Sequence, residues 1–135
     1  MFQTSKNLDS SFQSESISKP TVSVINTDAE NIISDIGTAM RTAGYKEVIS
    51  PNLETLLKVN ISWQHYYPAC STSPWQLDGV IQTLKDDGFE NIIPTHNGTV
   101  VVDAKEGARN NKHTLVEQKH GLDSVFLEEE EWISF

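Results

Sequence analysis

The chain lacks the cysteines needed for a disulfide and the basic clusters needed to bind a polyanion. Cys70 is the one cysteine among 135 residues, so no disulfide can form within the chain and a reducing compartment is expected. Ten Lys and Arg residues stand against 19 Asp and Glu, which gives a net charge of -9 without any basic cluster. Because nucleic acids and anionic membranes are bound largely through Lys and Arg, neither is an expected partner.

Long apolar runs and nucleotide-binding signatures are also missing. No run reaches the roughly 18 apolar residues of a membrane span, and the N-terminus has no apolar stretch of the secretory type. The sequence has neither a Walker loop nor a GxGxxG pattern, and no motif specifies a cofactor. We therefore expect a cytoplasmic protein.

The first 20 residues differ in composition from the rest. Six serines lie there among Gln and Asn, and the few apolar residues follow neither a helical nor a strand period. Such a segment buries too little apolar area to offset the entropy of ordering. Residues 1–20 are predicted to be a disordered tail, and residues 21–135 to be one α/β domain.

The domain alternates short apolar runs with stretches of helical periodicity. Strands are predicted at residues 22–25, 56–61, 89–93 and 124–127. Helices are predicted between them, each with a capping residue at its start and a glycine at its end: Thr27 to Gly44, Ser73 to Gly88, and Asp103 to Gly121. Pro94 is expected to end the third strand, because proline is rarely tolerated inside a sheet.

This βαβαβαβ order predicts a mostly parallel sheet of about four strands with helices on both faces. Four strands are few for such a sheet, so the domain could be a fragment of a larger one. Ligands of open parallel sheets bind beyond the carboxyl ends of the strands. The polar side chains predicted to gather there are Lys58 and Asn60, then Ser71 and Thr72, then His96 and Asn97.

An anionic ligand suits that edge of the sheet. The start of the second helix offers free N–H groups and a partial positive charge, and Lys58 adds a full charge. We therefore expect a site for a small anionic metabolite, with His96 and Asn60 orienting it. The structural alternatives are ordinary capping by Ser73, a surface Lys58, and a loop histidine at position 96.

No metal site is predicted. His65 and Cys70 make only a pair, whereas structural zinc takes four ligands. His113 and His120 lie seven residues apart on the third predicted helix, a spacing that favours a solvated helix face. Cys70 is interpreted as an incidental thiol rather than a nucleophile.

Three short motifs give the chain a family resemblance. They lie at residues 56–60 (LLKVN), 71–74 (STSP) and 84–89 (LKDDGF). Residues 21–127 resemble the family catalogued as domain of unknown function 362, in which a K-P-N-like strand end precedes a T-x-P or S-P helix start. Val59 stands where that family usually has proline.

The resemblance implies an α/β domain of unassigned activity. Members are commonly longer, and some are joined to ferredoxin-type iron–sulfur modules, whose cysteines this chain lacks. The matching positions imply a candidate site at Lys58, Asn60, Thr72 and Pro74.

A different class of function stays open beside the anion site. Residues 62–75 form an aromatic loop that carries Trp63, Tyr66, Tyr67 and Trp75, and residues 128–132 form an acidic end. Either surface could dock a protein partner or a second copy of the chain, which would make the protein a non-catalytic interaction domain.

Overall fold

The computed structural model describes residues 19–134, so residues 1–18 of the predicted tail lie outside the described residues. The regular elements in chain order are α1 (Ile32–Thr42), β1 (Thr55–Lys58), α2 (Pro74–Asp86), β2 (Ile92–His96), α3 (Ala104–Asn110), α4 (His113–Lys119) and β3 (Val125–Phe126). Single 3-10 turns lie at Tyr45–Glu47 and Leu127–Glu129. No helix of this part of the chain has the length and apolarity to cross a membrane.

The sheet is parallel, with three strands in the order β1-β2-β3. Leu57 of β1 lies opposite Pro94 of β2, and Thr95 of β2 lies opposite Val125 of β3. Both connections between neighbouring strands are helical, as parallel pairing requires. The α/β class and the parallel pairing are confirmed, whereas the prediction of four strands is wrong for residues 19–134.

The missing strand is the one predicted at residues 22–25. This segment runs without regular structure ahead of α1, and Val22 and Val24 are 83% and 87% exposed. Ile25 alone of its apolar residues lies beside α1, near Ile32 and Ile36. The segment has the β-branched composition of a strand, but no neighbouring strand pairs with it. The order is therefore αβαβααβ and not βαβαβαβ.

α2 and α4 pack on the same face of the sheet, so the two strand connections do not cover opposite faces as expected. Val116 of α4 and Ile81 of α2 share a cluster with Leu57 of β1. Side chains alternate along a strand, so Leu56 points to the opposite face. Leu56 is 67% exposed, which shows that this end of the opposite face is uncovered by the described residues.

β2 runs through Pro94, so the prediction that Pro94 ends the strand is wrong. The Val59 N–H donates to the Thr95 carbonyl, which shows that the odd-numbered residues of β2 face β1. The nitrogen of Pro94 therefore points to the other side, where β3 pairs only with the last two residues of β2. No partner of β3 lies opposite Pro94, so a residue without an N–H is tolerated there.

The third predicted helix is two helices, α3 and α4, separated at Lys112. This residue adopts the left-handed conformation, with φ of 67°, and so breaks the helical path. The buried Asn111 side chain holds the break by donating to the carbonyls of Gly107 and Trp63, at 2.9 and 3.1 Å. The break sets the direction in which the side chains of α4 point.

Two of the three predicted helix caps are confirmed. The Ser73 hydroxyl accepts from the Gln76 N–H at 3.2 Å, and the Asp103 carboxylate accepts from the Glu106 N–H at 2.8 Å. Thr27 does not cap α1. The N–H of Asn31, at the start of the helix, donates to a carboxylate oxygen of Asp28 instead.

Asp87 follows the end of α2, where the helix dipole disfavours a carboxylate. Its partners explain its presence. The Tyr45 hydroxyl donates to it at 2.5 Å and the Arg41 guanidinium at 3.0 Å. These two hydrogen bonds, in that order of importance, hold the pKa of Asp87 at about 2. The carboxylate therefore ties the end of α2 to α1 and to the turn that follows it.

α1 and α2 approach each other most closely at Gly79. A methyl group at this position would lie 2.9 Å from Ile36 Cδ1 and 3.2 Å from the Ile33 carbonyl oxygen. Both distances are shorter than van der Waals contact, and the carbonyl belongs to the backbone of α1. The glycine is therefore required by the packing of the two helices.

Gly79→Ala should lower the free energy of unfolding by about 1–3 kcal/mol, because the clash exceeds the roughly 1 kcal/mol that alanine gains in helix propensity. Chemical denaturation measures this difference. Gln76→Ala, on an exposed position of the same helix, is the matched control and should change stability little. A stabilised Gly79→Ala variant would contradict the close approach of the helices.

Candidate functional site

Three hydroxyl side chains meet where β1 ends and α2 begins, in a group we call the hydroxyl corner (Asn60, Ser62, Ser71 and Thr72). The Asn60 N–H donates to Thr72 Oγ1 at 3.2 Å, and the Thr72 N–H donates to the Asn60 carbonyl at 3.1 Å. The Ser62 N–H donates to Ser71 Oγ at 3.2 Å. Asn60 Nδ2 donates to Ser62 Oγ at 2.8 Å. Each hydroxyl oxygen is thus an acceptor, and its own hydrogen stays available to donate.

Lys58 and Thr72 line one small cavity beside this corner. Its volume is about 120 Å³, and its lining residues are Leu57, Lys58, Val59, Thr72, Gln76, Leu77 and Val80. Lys58 Nζ donates to the Val59 carbonyl at 3.0 Å. This bond uses one of the three hydrogens of the ammonium group. The cavity is therefore lined by a cationic residue, a threonine and the first turn of α2.

The structure brings four of the six predicted site residues together and places the other two elsewhere. Lys58, Asn60, Ser71 and Thr72 lie together, as the strand and helix ends predict. Asn97 is exposed, and His96 is completely buried on the helix-covered side of the sheet. Neither of these two residues lines the cavity. A direct contact of His96 with a ligand there is therefore not part of the site.

His96 belongs to a buried group that we call the histidine cluster (His96, His113 and Glu117). His96 Nε2 lies 2.7 Å from a carboxylate oxygen of Glu117. The His113 ring stacks almost parallel to the His96 ring, with 5.8 Å between their centroids. The Phe126 ring also stacks with His96, with 5.4 Å between centroids. All three cluster residues are at most 3% exposed.

The histidine cluster touches the hydroxyl corner through one hydrogen bond. His113 Nε2 lies 2.7 Å from the carbonyl oxygen of Thr72. A carbonyl can only accept, so this nitrogen carries the hydrogen. Thr72 is consequently held by its N–H, its hydroxyl oxygen and its carbonyl, and the hydroxyl hydrogen is its remaining polar group.

Burial sets the charge state of the cluster. Burial lowers the pKa of His113, and the hydrogen bond to Thr72 opposes this only in part, so the ring is neutral. Burial by itself raises the pKa of Glu117, but hydrogen bonds from His96 and Ser124 outweigh it, and the net pKa is below the usual value. Glu117 is therefore an ionised acceptor, and His96 Nε2 carries a hydrogen.

Sequence reasoning missed Glu117 and misjudged the histidines of α4. The prediction of a solvated helix face is wrong, because His113 is fully buried and His120 Nε2 lies 2.6 Å from an Asp78 carboxylate oxygen. The spacing of His113 and Glu117, one helical turn apart, is the signal that could have revealed the pair. Within residues 19–134 no group of three or more His, Cys, Asp or Glu side chains, the histidine cluster included, is arranged to hold a metal ion.

The aromatic loop is exposed, as an interaction surface would require. Tyr67 is 69% exposed, and Trp63, Tyr66 and Trp75 are each about half exposed. The acidic end is partly tied down, since a Glu128 carboxylate oxygen accepts from the Gly98 N–H at 2.9 Å.

No protein-family model, curated protein or solved structure matches the chain.

The neutral, buried His113 predicts a loss of stability in mild acid. Its folded pKa lies below the unfolded value of about 6.5, so the unfolded chain takes up the proton first as the pH falls. The free energy of unfolding should therefore decrease from about pH 6.5 downward. His113→Gln keeps an N–H for the Thr72 carbonyl but cannot titrate, so its stability should fall less between pH 7 and pH 5.5.

Thermal melts across this pH range measure the slope. His65→Gln, which removes an exposed histidine of the aromatic loop, is the control and should melt like the parent. An identical slope in His113→Gln and the parent would show that His113 does not titrate as a buried neutral group.

Proposed function

We propose that the chain binds a small anion, the phosphate or carboxylate group of a metabolite, in the cavity between the end of β1 and the start of α2. The observation that carries the proposal is the fixation of Thr72. Three of its polar atoms are engaged by Asn60 and His113, which leaves the hydroxyl hydrogen free at a cavity that the cationic residue Lys58 also lines. A donor held in place next to a cation is preorganised for an anion.

The first turn of α2 supports the same ligand. Pro74 has no N–H and Ser73 accepts from the Gln76 N–H, so the start of this 13-residue helix acts on the cavity through its dipole, which adds partial positive charge, and not through these N–H groups. A volume of about 120 Å³ suits a phosphate or carboxylate group and is below the roughly 300 Å³ of a drug-sized ligand site.

Membership of the domain of unknown function 362 family is part of this proposal. Three of the residues that carry the resemblance, Lys58, Asn60 and Thr72, line the cavity or hydrogen-bond to its lining, and the fourth, Pro74, begins α2. A cytoplasmic location is proposed with it, since the single cysteine needs no oxidising compartment. We assign no reaction, because the histidine cluster is closed to a ligand.

Phosphate, sulfate and a small dicarboxylate should raise the melting temperature of the chain, relative to chloride at equal ionic strength. A hydrogen bond to a charged group is worth about 1.5–3 kcal/mol, so Thr72→Val should weaken binding by about tenfold or more. Lys58→Ala should weaken it further. Isothermal titration calorimetry gives the dissociation constants.

Thr38→Val makes the same change on the exposed side of α1 and should leave binding intact. Equal anion affinity in Thr72→Val and Thr38→Val, with both proteins folded, would rule out the cavity as the site.

The second candidate function is that of an interaction domain. Its specific support is the aromatic loop, whose four large side chains between positions 63 and 75 are exposed. Aromatic residues of this kind are enriched at protein interfaces. Trp63→Ala and Tyr67→Ala should abolish any association through this loop, as sedimentation analysis would show.

A further inference from the structure

β1 is an edge strand whose outer side is open. The N–H groups of Thr55 and Val59 donate to β2, so the odd-numbered residues face the sheet. The backbone groups of Leu56 and Lys58 therefore point outward, and within residues 19–134 they have no backbone partner. An open edge of this kind is a template for another strand.

The edge carries an exposed apolar surface. Leu56 and Leu53 are both about two-thirds exposed, and Val48 and Ile49 lie near them around a cavity of about 340 Å³. β1 has no proline and no bulge, two features by which proteins usually protect an edge from pairing. Something that covers this surface would therefore bury apolar area.

The charged residues on this edge would pair with those of a second, antiparallel copy of the same strand. Leu56 and Lys58 share one face and one outward edge of β1, and the exposed Glu54, which directly precedes the strand, continues their alternation. If two copies of β1 run antiparallel about a twofold axis at Leu56, Glu54 of each copy lies opposite Lys58 of the other. This register pairs opposite charges twice and places leucine against leucine.

The two neighbouring registers of this antiparallel pair are less favourable. The outward N–H and carbonyl of Asn60 are already bonded to Thr72, so pairing cannot extend past Lys58. A shift toward the carboxyl end would require Asn60 as a partner. A shift the other way would place Lys58 opposite Asn52 and lose the charge pairs.

We propose that two copies of the chain associate through antiparallel pairing of β1 with β1, centred on Leu56, to form one continuous sheet of six strands. About six backbone hydrogen bonds would form, since outward-facing residues in such a pair exchange two each. The contact is isologous, as in most dimers. This dimer is a property beyond anion binding. Lys58 takes part in both, because its ammonium group has three hydrogens and can donate to an anion and to Glu54 of the second copy.

Sedimentation over a concentration series tests the dimer by charge exchange. Glu54→Lys places lysine opposite Lys58, and Lys58→Glu places glutamate opposite Glu54, so each should raise the dimer dissociation constant by about tenfold. The double exchange restores both attractions and should return the constant to the parent value. Glu131→Lys makes the same charge change on an exposed residue that follows β3, on the other edge of the sheet, and should have little effect.

Cross-linking supplies an independent readout. Leu56→Cys in a Cys70→Ser background should form an intermolecular disulfide on mild oxidation, because hydrogen-bonded antiparallel partners lie about 5.5 Å apart. A chain that is monomeric at all concentrations would overturn the proposal. So would a dimer that is indifferent to the charge exchange and gives no cross-link, since its contact would lie elsewhere.

The dimer proposal and the anion-site proposal can be tested independently of each other. Thr72→Val leaves the outward backbone groups of Leu56 and Lys58 unchanged and frees only the Asn60 N–H beyond them, so it should lose anion affinity and keep the parent dimer constant. Glu54→Lys should weaken the dimer while phosphate still raises its melting temperature. Loss of both properties in Thr72→Val would show that association does not depend on the β1 edge alone, and would overturn the dimer proposal.

Discussion

The hydrogen bond from His113 Nε2 to the Thr72 carbonyl is the contact on which the candidate site depends. It joins α4 to Thr72, which lies two residues before the start of α2. Because both groups are buried or half-buried, breaking the bond would leave polar atoms without water or a partner, which is costly. The bond therefore fixes Thr72 relative to the sheet, and with it the donor that faces the cavity.

The rest of the architecture serves to place that histidine. The left-handed Lys112 ends α3 and starts α4 in a new direction, and Asn111 holds the turn through buried hydrogen bonds. α4 then presents His113 and Glu117 to the interior, where His96 from β2 completes the cluster. A continuous helix could not present these side chains in the same way.

The sequence predicted what local chemistry determines. The Ser73 cap, the Gly44 and Gly88 stops and the parallel pairing follow from capping, glycine and burial patterns, and the structure has all of them. The predicted strand at residues 22–25 failed because strand formation needs a neighbour, which composition cannot supply. Lys58 and Thr72 lie together because strand and helix ends meet at one edge of the sheet.

The buried histidines escaped prediction for a different reason. Whether His113 faces solvent or the core depends on the break at Lys112, a left-handed lysine that no propensity predicts. Glu117 looks like an ordinary surface residue of a helix until its partner from a distant strand is known. Long-range pairing of polar groups is set by the tertiary fold and not by the local pattern.

The protonation of the His113 ring tests the central claim most directly. Nitrogen-15 NMR of the imidazole groups distinguishes the neutral ring with hydrogen on Nε2 from the other tautomer and from the cation. We predict that His113 at pH 7 is neutral with its hydrogen on Nε2, in a hydrogen bond to the Thr72 carbonyl. A cationic ring, or a hydrogen on Nδ1, would contradict the account, because neither state fits a buried ring that holds Thr72 in place.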